Sequence, residues 1–194
     1  IRVFSRDEKK QNDMRINYNN SKLQFIIGDV RSYESIDNAM SNVDYVFCAA
    51  ALKQVPSCEF YPIEAIRTNI FGIENTIRSG LKNHVDKIVV LSTDKAVHPI
   101  NAMGMSKALA EKVSISIARK IQENKTKICI TRYGNVMGSR GSVIPLFIKQ
   151  IKSNRKLTVT DPEMTRFMMS LDEAVNLVLF AFNKCNQGDI FVQK

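Results

Sequence analysis

The stretch "KIVVLSTDKAVHPINAMGMSK", residues 87–107, carries the strongest indications of the fold. Its first five residues form a short apolar, β-branched run, which predicts a buried strand. The polar segment "STDK", residues 92–95, follows at once and therefore lies at the carboxyl end of that strand, where α/β proteins bind their ligands. From Ala102 onward the apolar residues recur at the spacing of a helix. The stretch thus predicts a strand, a polar loop and a helix.

The same alternation continues in both directions. We predict strands at 1–4, 23–27, 45–48, 87–91 and 127–133, and helices at 33–40, 62–83, 102–122, 143–153 and 171–183, before a strand-like end "DIFVQK". Strands that alternate with helices of this length need crossover connections, so the expected fold is α/β with a doubly wound parallel sheet. The alternation weakens from Asn135 onward. We therefore expect a dinucleotide-binding domain at 1–134 and a small substrate-binding part at 135–194.

Composition narrows the class of protein. The chain has 194 residues and a net charge of +9, and it contains no apolar run near the roughly 20 residues needed to span a bilayer. It shows no secretory leader, so a cytoplasmic protein without membrane attachment is expected. The four scattered cysteines form no C-x-x-C pair and predict buried, reduced thiols. The two histidines lack ligand-spaced partners, so we expect no metal.

The positive charge favours anionic ligands in general. The basic residues are spread along the chain, however, and no nucleic-acid recognition motif is present. A solvated surface excess of lysine and arginine is the simpler interpretation, and we expect no nucleic-acid partner.

One feature of a dinucleotide-binding fold is missing. Such folds need a glycine-rich turn between the first strand and the first helix, and this sequence has none. It opens on what looks like the second strand and stops just after a short strand. We therefore expect a fragment of a longer enzyme, without the first strand and its glycine-rich turn.

Three strand ends supply candidate cofactor residues. Ser5 and Arg6 stand where an acid would accept ribose hydroxyls in an NAD-binding fold; a hydroxyl and a guanidinium suit a 2′-phosphate, which favours NADP over NAD. A plain charged loop is the alternative. The other candidates are Asp29 and Val30 after the second strand and Ala49, Ala50 and Lys53 after the third. Each has a structural alternative: helix capping for Asp29, packing of the helix on the sheet for the alanines, and solvent exposure for Lys53.

The loop after "KIVVL" supplies candidate catalytic residues. Lys107 follows Met103 by four residues, so both share one helix face, and a dehydrogenase would carry tyrosine at position 103. A thioether cannot carry a proton, which leaves Asp94 and Lys95, next to Thr93, as a possible acid and base. Surface ion pairs are the alternative for each residue alone. Thr68 and Asn69, in an otherwise apolar helix, could support the active strand or lie on the helix surface.

Downstream, "RYGNVMGSRGSVIPLF", residues 132–147, follows the strand "KICIT". Its glycines, arginines and following helix could wrap a pyrophosphate through backbone N–H groups. "TDPEMTRF", residues 160–167, adds Arg166 as a second cation. An ordinary glycine-rich turn is the alternative.

Taken in order, the words "FSRDE", "GDVR", "AAALKQVP", "LSTDKAV", "RYGNVMGSRGSVIPLF" and "MTRF" resemble one group of extended short-chain dehydrogenases. The group comprises inverting UDP-N-acetylglucosamine 4,6-dehydratases and related capsular polysaccharide epimerases, some with methionine in place of the tyrosine. The resemblance implies cofactor contacts at Ser5, Arg6, Asp29, Val30, Ala49, Ala50, Lys53, Lys107 and Tyr133. It implies catalytic positions at Thr93, Asp94, Lys95, Met103 and Lys107, and nucleotide-sugar contacts at Asn135, Arg140, Ser142, Val143, Pro145 and Arg166.

The resemblance also implies a reaction and its rivals. We expect NADP-dependent oxidation of a UDP-sugar at C4, removal of the C5 proton by Lys95, and loss of the C6 hydroxyl as water with a proton from Asp94. A 4-epimerase acting on UDP-glucose or UDP-N-acetylglucosamine is the first alternative, and a non-catalytic NADP or sugar-nucleotide sensor is the second. Related enzymes form dimers to hexamers, so we expect a homo-oligomer.

Overall fold

The structure, a computed structural model, describes residues 1–121, 125–139, 142–159 and 161–193. The strands in this part are β1 (Arg2–Ser5), β2 (Gln24–Ile27), β3 (Tyr45–Cys48), β4 (Lys87–Thr93), β5 (Lys127–Tyr133), β6 (Asn135–Val136), β7 (Met168–Met169) and β8 (Ile190–Val192). The α-helices are α1 (Glu8–Tyr18), α2 (Tyr33–Met40), α3 (Val55–Phe60), α4 (Pro62–Ile66), α5 (Gly72–Lys82), α6 (Ala102–Lys120), α7 (Val143–Lys152) and α8 (Leu171–Lys184).

A four-stranded parallel sheet, in the order β3-β4-β5-β8, forms the centre of the molecule. Ile88 and Val90 of β4 point into a core shared with α2, α5 and α6, whereas Val89 packs with Val178 and Ala181 of α8 on the other face. A strand covered on both faces reads as a continuous apolar run, which is why "KIVVL" shows no alternation. The expected α/β fold with helices on both faces of a parallel sheet is confirmed.

The strands β1 and β2 form a separate parallel pair. A groove between β1 and β3 separates this pair from the central sheet, and side chains of both strands line it, including Val3, Phe4, Val46 and Cys48. Since this groove runs beside the ends of β1 and β3, the residues that follow these strands share one edge of the molecule.

Local sequence explains where the helices begin. Asn101 caps α6, because its side chain accepts the Gly104 N–H at 2.8 Å. Ser170 and Glu173 form a reciprocal capping box at the start of α8, the arrangement that satisfies two otherwise unpaired N–H groups. Between α4 and α5, residues Arg67–Phe71 form a π-helical segment, so the predicted helix at 62–83 is interrupted by a wider turn.

The structure contains elements that the sequence analysis did not predict. Helix α1 is capped by Asp7 but buries only Gln11, so it lacks the apolar periodicity on which the prediction depended. Helix α3 and the short pair β6-β7 were also missed. The division at residue 134 stays a prediction; β8, from the later part, pairs with β5 of the central sheet.

The four cysteines are buried free thiols, as expected. Among the described residues, no helix combines the length and the apolar character needed to cross a bilayer.

Candidate active site

A cleft of about 740 Å³ opens at the carboxyl ends of β4 and β5. Its walls come from the segment after β3, the end of β4, the start of α6, the segment from Tyr133 to Val136, and the start of α7. The predicted residues that line it are Ala49, Lys53, Thr93, Lys95, Met103, Lys107, Tyr133, Asn135, Ser142, Val143 and Arg166. The structure thus brings together residues that lie far apart in the sequence.

The acid–base candidates lie in a short 3₁₀ turn, Asp94–Ala96, directly after β4. Lys95 Nζ donates to Asp94 Oδ1 and to Asn135 Oδ1, both at 2.9 Å. The Thr93 hydroxyl donates to the same Asp94 oxygen at 2.9 Å. This carboxylate and amine are therefore a hydrogen-bonded pair held between the ends of two neighbouring strands.

Lys107 lies behind this pair on α6. Its side chain is buried, and Nζ donates to the Leu91 carbonyl of β4 at 2.6 Å. Burial lowers the pKa of Lys107, because removal from water disfavours the charged ammonium; the nearby Cys48 and Glu111 act in the opposite direction. The amine is thus fixed to the strand that ends in the acid–base pair.

Met103 lies one turn before Lys107 and is also buried. It packs with Cys58 and Ala65 while still lining the cleft. The position that would hold a phenol in a typical dehydrogenase therefore offers an apolar surface, and proton transfer there must use other groups.

The sequence analysis missed an ion pair between Glu111 and Arg132, which lies next to Ser92, the residue before the turn that begins at Thr93. Glu111 of α6 accepts from Arg132 Nε at 2.9 Å and Arg132 Nη2 at 2.7 Å, and from the Ser92 hydroxyl at 2.5 Å. The hydrogen bonds that Arg132 donates to Glu111 raise the pKa of Arg132. One available signal was that Glu111 follows Lys107 by four residues and so shares its helix face.

Asn69 supports the opposite wall from the π-helical segment. Its side chain is fully buried, pairs with both backbone groups of Leu52 at 2.8 and 2.9 Å, and donates to Ser106 Oγ at 2.9 Å. Thr68 is buried as well. The helix-surface alternative is wrong for this pair, and Asn69 supports the segment before Lys53 rather than the active strand.

Four of the predicted nucleotide-sugar residues line the cleft, namely Asn135, Ser142, Val143 and Arg166. Ser142 is the N-cap of α7, yet its hydroxyl oxygen is buried and makes no hydrogen bond within the described residues. Arg166 is exposed and donates to the Thr165 carbonyl at 2.6 Å. Pro145 lies in the first turn of α7 and is not among the lining residues, and Arg140 lies outside the described residues.

Tyr133 pairs in register with Thr93, but its hydroxyl donates to the Ala174 carbonyl of α8 at 2.6 Å. Burial raises the pKa of this phenol. The hydroxyl is therefore bonded to α8. A contact between Tyr133 and a cofactor would have to use the ring or the backbone of this residue.

The remaining cofactor candidates lie at the ends of β1 and β2. Ser5, Val30, Ala49 and Ala50 line the groove between β1 and β3, and Ala49 borders both this groove and the cleft. The two cavities therefore meet at the end of β3.

Asp29 is surrounded by arginines. Arg31 donates to it from Nε at 2.8 Å and Nη2 at 2.6 Å, and Arg6 Nη1 lies 3.5 Å away. The hydrogen bonds from Arg31 hold the pKa of Asp29 below its ordinary value. The capping alternative for Asp29 is wrong, since Ser32 caps α2.

Comparison with known proteins shows the family to which the chain belongs. The family model described as "Polysaccharide biosynthesis protein" matches residues 1–194. The chain is similar to a protein named UDP-glucose 4-epimerase from Rickettsia bellii, with 68% identity over all of the chain and 57% of the relative. The chain thus spans little more than half the length of that curated relative.

Two solved structures show the same fold. Pen from Bacillus thuringiensis superposes with a TM-score of 0.96 at 44% identity, covering 100% of this chain and 62% of that one. The dTDP-glucose 4,6-dehydratase DesIV from Streptomyces venezuelae, with NAD bound, has a TM-score of 0.88 at 19% identity, covering 98% and 65%. At that lower identity the second likeness concerns the fold alone.

Proposed function

The chain belongs to the polysaccharide biosynthesis protein family of extended short-chain dehydrogenases, and from this premise we propose that it is the larger part of a nicotinamide-dependent enzyme that oxidises a UDP-sugar at C4 and returns it as the 4-epimer. The observation that carries the proposal is Lys95, which lines a cleft together with Asn135 and Lys107 and bonds both Asn135 and Asp94; Asp94 itself is not among the lining residues. The name of the Rickettsia bellii relative, UDP-glucose 4-epimerase, favours epimerisation over the dehydration that the sequence led us to expect.

The residues present fit a nicotinamide dinucleotide. The small side chains of Ala49 and Ala50 follow β3, where the groove and the cleft meet, and small residues there let a ligand approach the backbone. The Lys107 ammonium has three N–H donors, and the Leu91 carbonyl accounts for one of them. Ribose hydroxyls could accept from the others. A bound nicotinamide would supply hydride acceptance from the sugar and hydride return.

The position of Arg6 favours one of the two forms of this cofactor. Its guanidinium lies at the end of β1, half-exposed and 3.5 Å from Asp29. Since Arg31 already donates two hydrogen bonds to Asp29, Arg6 is left with a weaker contact there and suits a 2′-phosphate. We therefore propose NADP, with NAD as the alternative.

The protein's own groups would move the proton. Because the Met103 thioether cannot accept the hydrogen of the C4 hydroxyl, that proton passes to the Asp94–Lys95 pair. Asp94 Oδ1, which accepts hydrogen bonds from Thr93 and Lys95, can take a proton from the Lys95 ammonium, and the neutral Lys95 amine can then accept the proton of the C4 hydroxyl. Asn135 keeps the Lys95 amine in place during the transfer.

A 4,6-dehydratase is the second candidate, and one observation favours it. Elimination of water needs two groups, a base for the C5 hydrogen and an acid for the departing C6 oxygen, whereas epimerisation needs proton transfer only at O4. Asp94 and Lys95 supply a carboxyl and an amine side by side, 2.9 Å apart. This pair could perform both steps of the elimination.

A product assay with the intact protein distinguishes these functions. The protein is incubated with NADP or NAD and with UDP-glucose or UDP-N-acetylglucosamine, and products are analysed by mass spectrometry and NMR. An unchanged mass with inverted C4 supports the epimerase, and the loss of one water supports the dehydratase. Absence of both product and reduced-nicotinamide absorbance contradicts an enzymatic role and favours the sensor.

Lys95→Ala tests the assigned group. Removing a placed proton-transfer group typically lowers the rate by about 10²–10⁴-fold. We expect a loss of this size in kcat with an unchanged circular dichroism spectrum. Turnover near that of the unmodified protein would remove Lys95 from the mechanism. His84→Ala, in the turn between α5 and β4, is the control, and it should leave kcat unchanged.

A further inference from the structure

We propose that Glu111, acting with Arg132, is a positioning residue that sets the separation between Lys107 on α6 and the Asp94–Lys95–Asn135 group at the ends of β4 and β5. The inference rests on the proposed function of the cleft. It concerns residues that do not themselves take part in proton transfer.

The geometry starts from the register of the sheet. Ser92 of β4 and Arg132 of β5 are directly paired neighbours, and Thr93 and Tyr133 form the next pair. Both Ser92 and Arg132 direct their side chains to one carboxylate, that of Glu111. A single side chain of α6 therefore joins two adjacent strands.

Each of the three joined elements carries a cleft residue close to the junction. On β4, Thr93 follows Ser92 and begins the turn that holds Asp94 and Lys95. After the end of β5, Asn135 in β6 follows Arg132 by three residues and accepts a hydrogen bond from Lys95. On α6, Lys107 precedes Glu111 by one turn and bonds Leu91. A shift at Glu111 must therefore change distances between groups that have to act together.

Burial makes the junction rigid. The Glu111 side chain is 5% exposed and that of Arg132 is 23% exposed, and two parallel hydrogen bonds join them. A two-pronged arginine–carboxylate pair fixes orientation as well as distance. For stability alone, a well-packed apolar cluster commonly serves as well as a buried ion pair. A directional pair at this place is therefore better explained by a need for fixed geometry.

Glu111→Gln in the intact protein tests the proposal, because glutamine keeps the size of the side chain and removes its charge. Asp37→Asn is the matched control. Asp37 also accepts hydrogen bonds from three side chains, those of Ser79, Lys82 and Asn83, and it joins α2 to α5 away from the cleft. Melting temperature, kcat and KM for the UDP-sugar are measured for both variants.

We expect Glu111→Gln to lower kcat by about 10–100-fold with KM within about threefold, since misplacement of catalytic groups by about 1 Å costs rate on the order of 10²-fold. Asp37→Asn should leave kcat within about threefold even where its melting temperature falls. Arg132→Lys, which keeps the charge but not the paired hydrogen bonds, should lie between the unmodified protein and Glu111→Gln. It also serves as the test variant if Glu111→Gln does not fold.

Equal kcat in Glu111→Gln and Asp37→Asn would overturn the proposal. A readout that does not depend on turnover separates this failure from failure of the proposed function. The NMR signals of the Asn135 side-chain amide report its bond to Lys95, and they should shift in Glu111→Gln but not in Asp37→Asn. If the unmodified protein converts no UDP-sugar, the function is refuted, and an unshifted Asn135 signal then refutes the positioning role as well.

Discussion

Gly104→Ala is the most informative single substitution for the geometry of the cleft. A Cβ atom added at Gly104 would lie 2.7 Å from the backbone oxygen of Lys95, whereas ordinary contact begins at 3.4 Å. Relief therefore requires a displacement of about 0.7 Å between α6 and the acid–base turn. Because the obstacle is backbone, no side-chain rotation can provide it.

Two opposing effects decide the stability of this variant. Alanine in a helix interior is favoured over glycine by about 0.5–1 kcal/mol, whereas overpacking in a tight interior costs about 1–3 kcal/mol. The net loss should be about 0–2.5 kcal/mol, and each kcal/mol lowers the melting temperature of a chain of this size by roughly 2–4 °C. The protein should therefore remain folded.

Activity should fall much more than stability. Lys95 bonds Asp94 and Asn135 at 2.9 Å, and a displacement near 0.7 Å at its backbone breaks or lengthens one of these bonds. Since a misplacement of about 1 Å can cost about 10²-fold in rate, we expect kcat to fall by about 10–100-fold. Steady-state assay of the UDP-sugar product measures this directly.

Gly80→Ala is the control. A Cβ at Gly80 would meet the terminal Cδ1 of Ile88 at 2.6 Å, a flexible side-chain atom in the core away from the cleft. Its melting temperature should change, but its kcat should stay within about twofold. Full activity in Gly104→Ala would refute the claim that close approach of α6 to the turn matters for catalysis.

Two further predictions concern the ends of β1 and β2. Arg6→Ala should raise KM for NADP by about 10–100-fold and leave KM for NAD unchanged, because hydrogen bonds to charged groups contribute about 1.5–3 kcal/mol. An equal effect on both cofactors contradicts the 2′-phosphate assignment. The pKa of Asp29 is lowered by Arg31 in the folded state, so its carboxylate stabilises the fold above the unfolded pKa of 3.8 and loses this contribution as the pH falls below that value. Asp29→Asn should therefore lower the melting temperature by about 2–4 °C at pH 7 and by less near pH 3, and an equal deficit at both pH values contradicts the pairing.

The parallel sheet was predictable because its signal is local. The run "KIVVL" is apolar on both faces, since α6 covers one face of β4 and α8 covers the other. Helix α1 escaped prediction because it is almost entirely polar and stays on the surface. Its cap at Asp7, rather than its apolar pattern, was the usable signal.

The residues at the strand ends could be predicted, but their partners could not. Asp94 and Lys95 follow from the position of a polar segment after a buried strand. The bond from Lys95 to Asn135 spans 40 residues, and that from Arg132 to Glu111 spans 21. Such pairs depend on strand register and helix docking, which a single sequence does not fix.

Helix α6 is fastened to β4 and its following turn at three successive points. Gly104 approaches the Lys95 carbonyl, Lys107 bonds the Leu91 carbonyl, and Glu111 bonds the Ser92 hydroxyl. These residues lie three and four positions apart, so they share one face of the helix. A phenol at position 103 would place the proton-transfer group on the helix itself. In the proposed function that group lies in the turn, and its alignment with Lys107 depends on how closely the helix and the strand are held together.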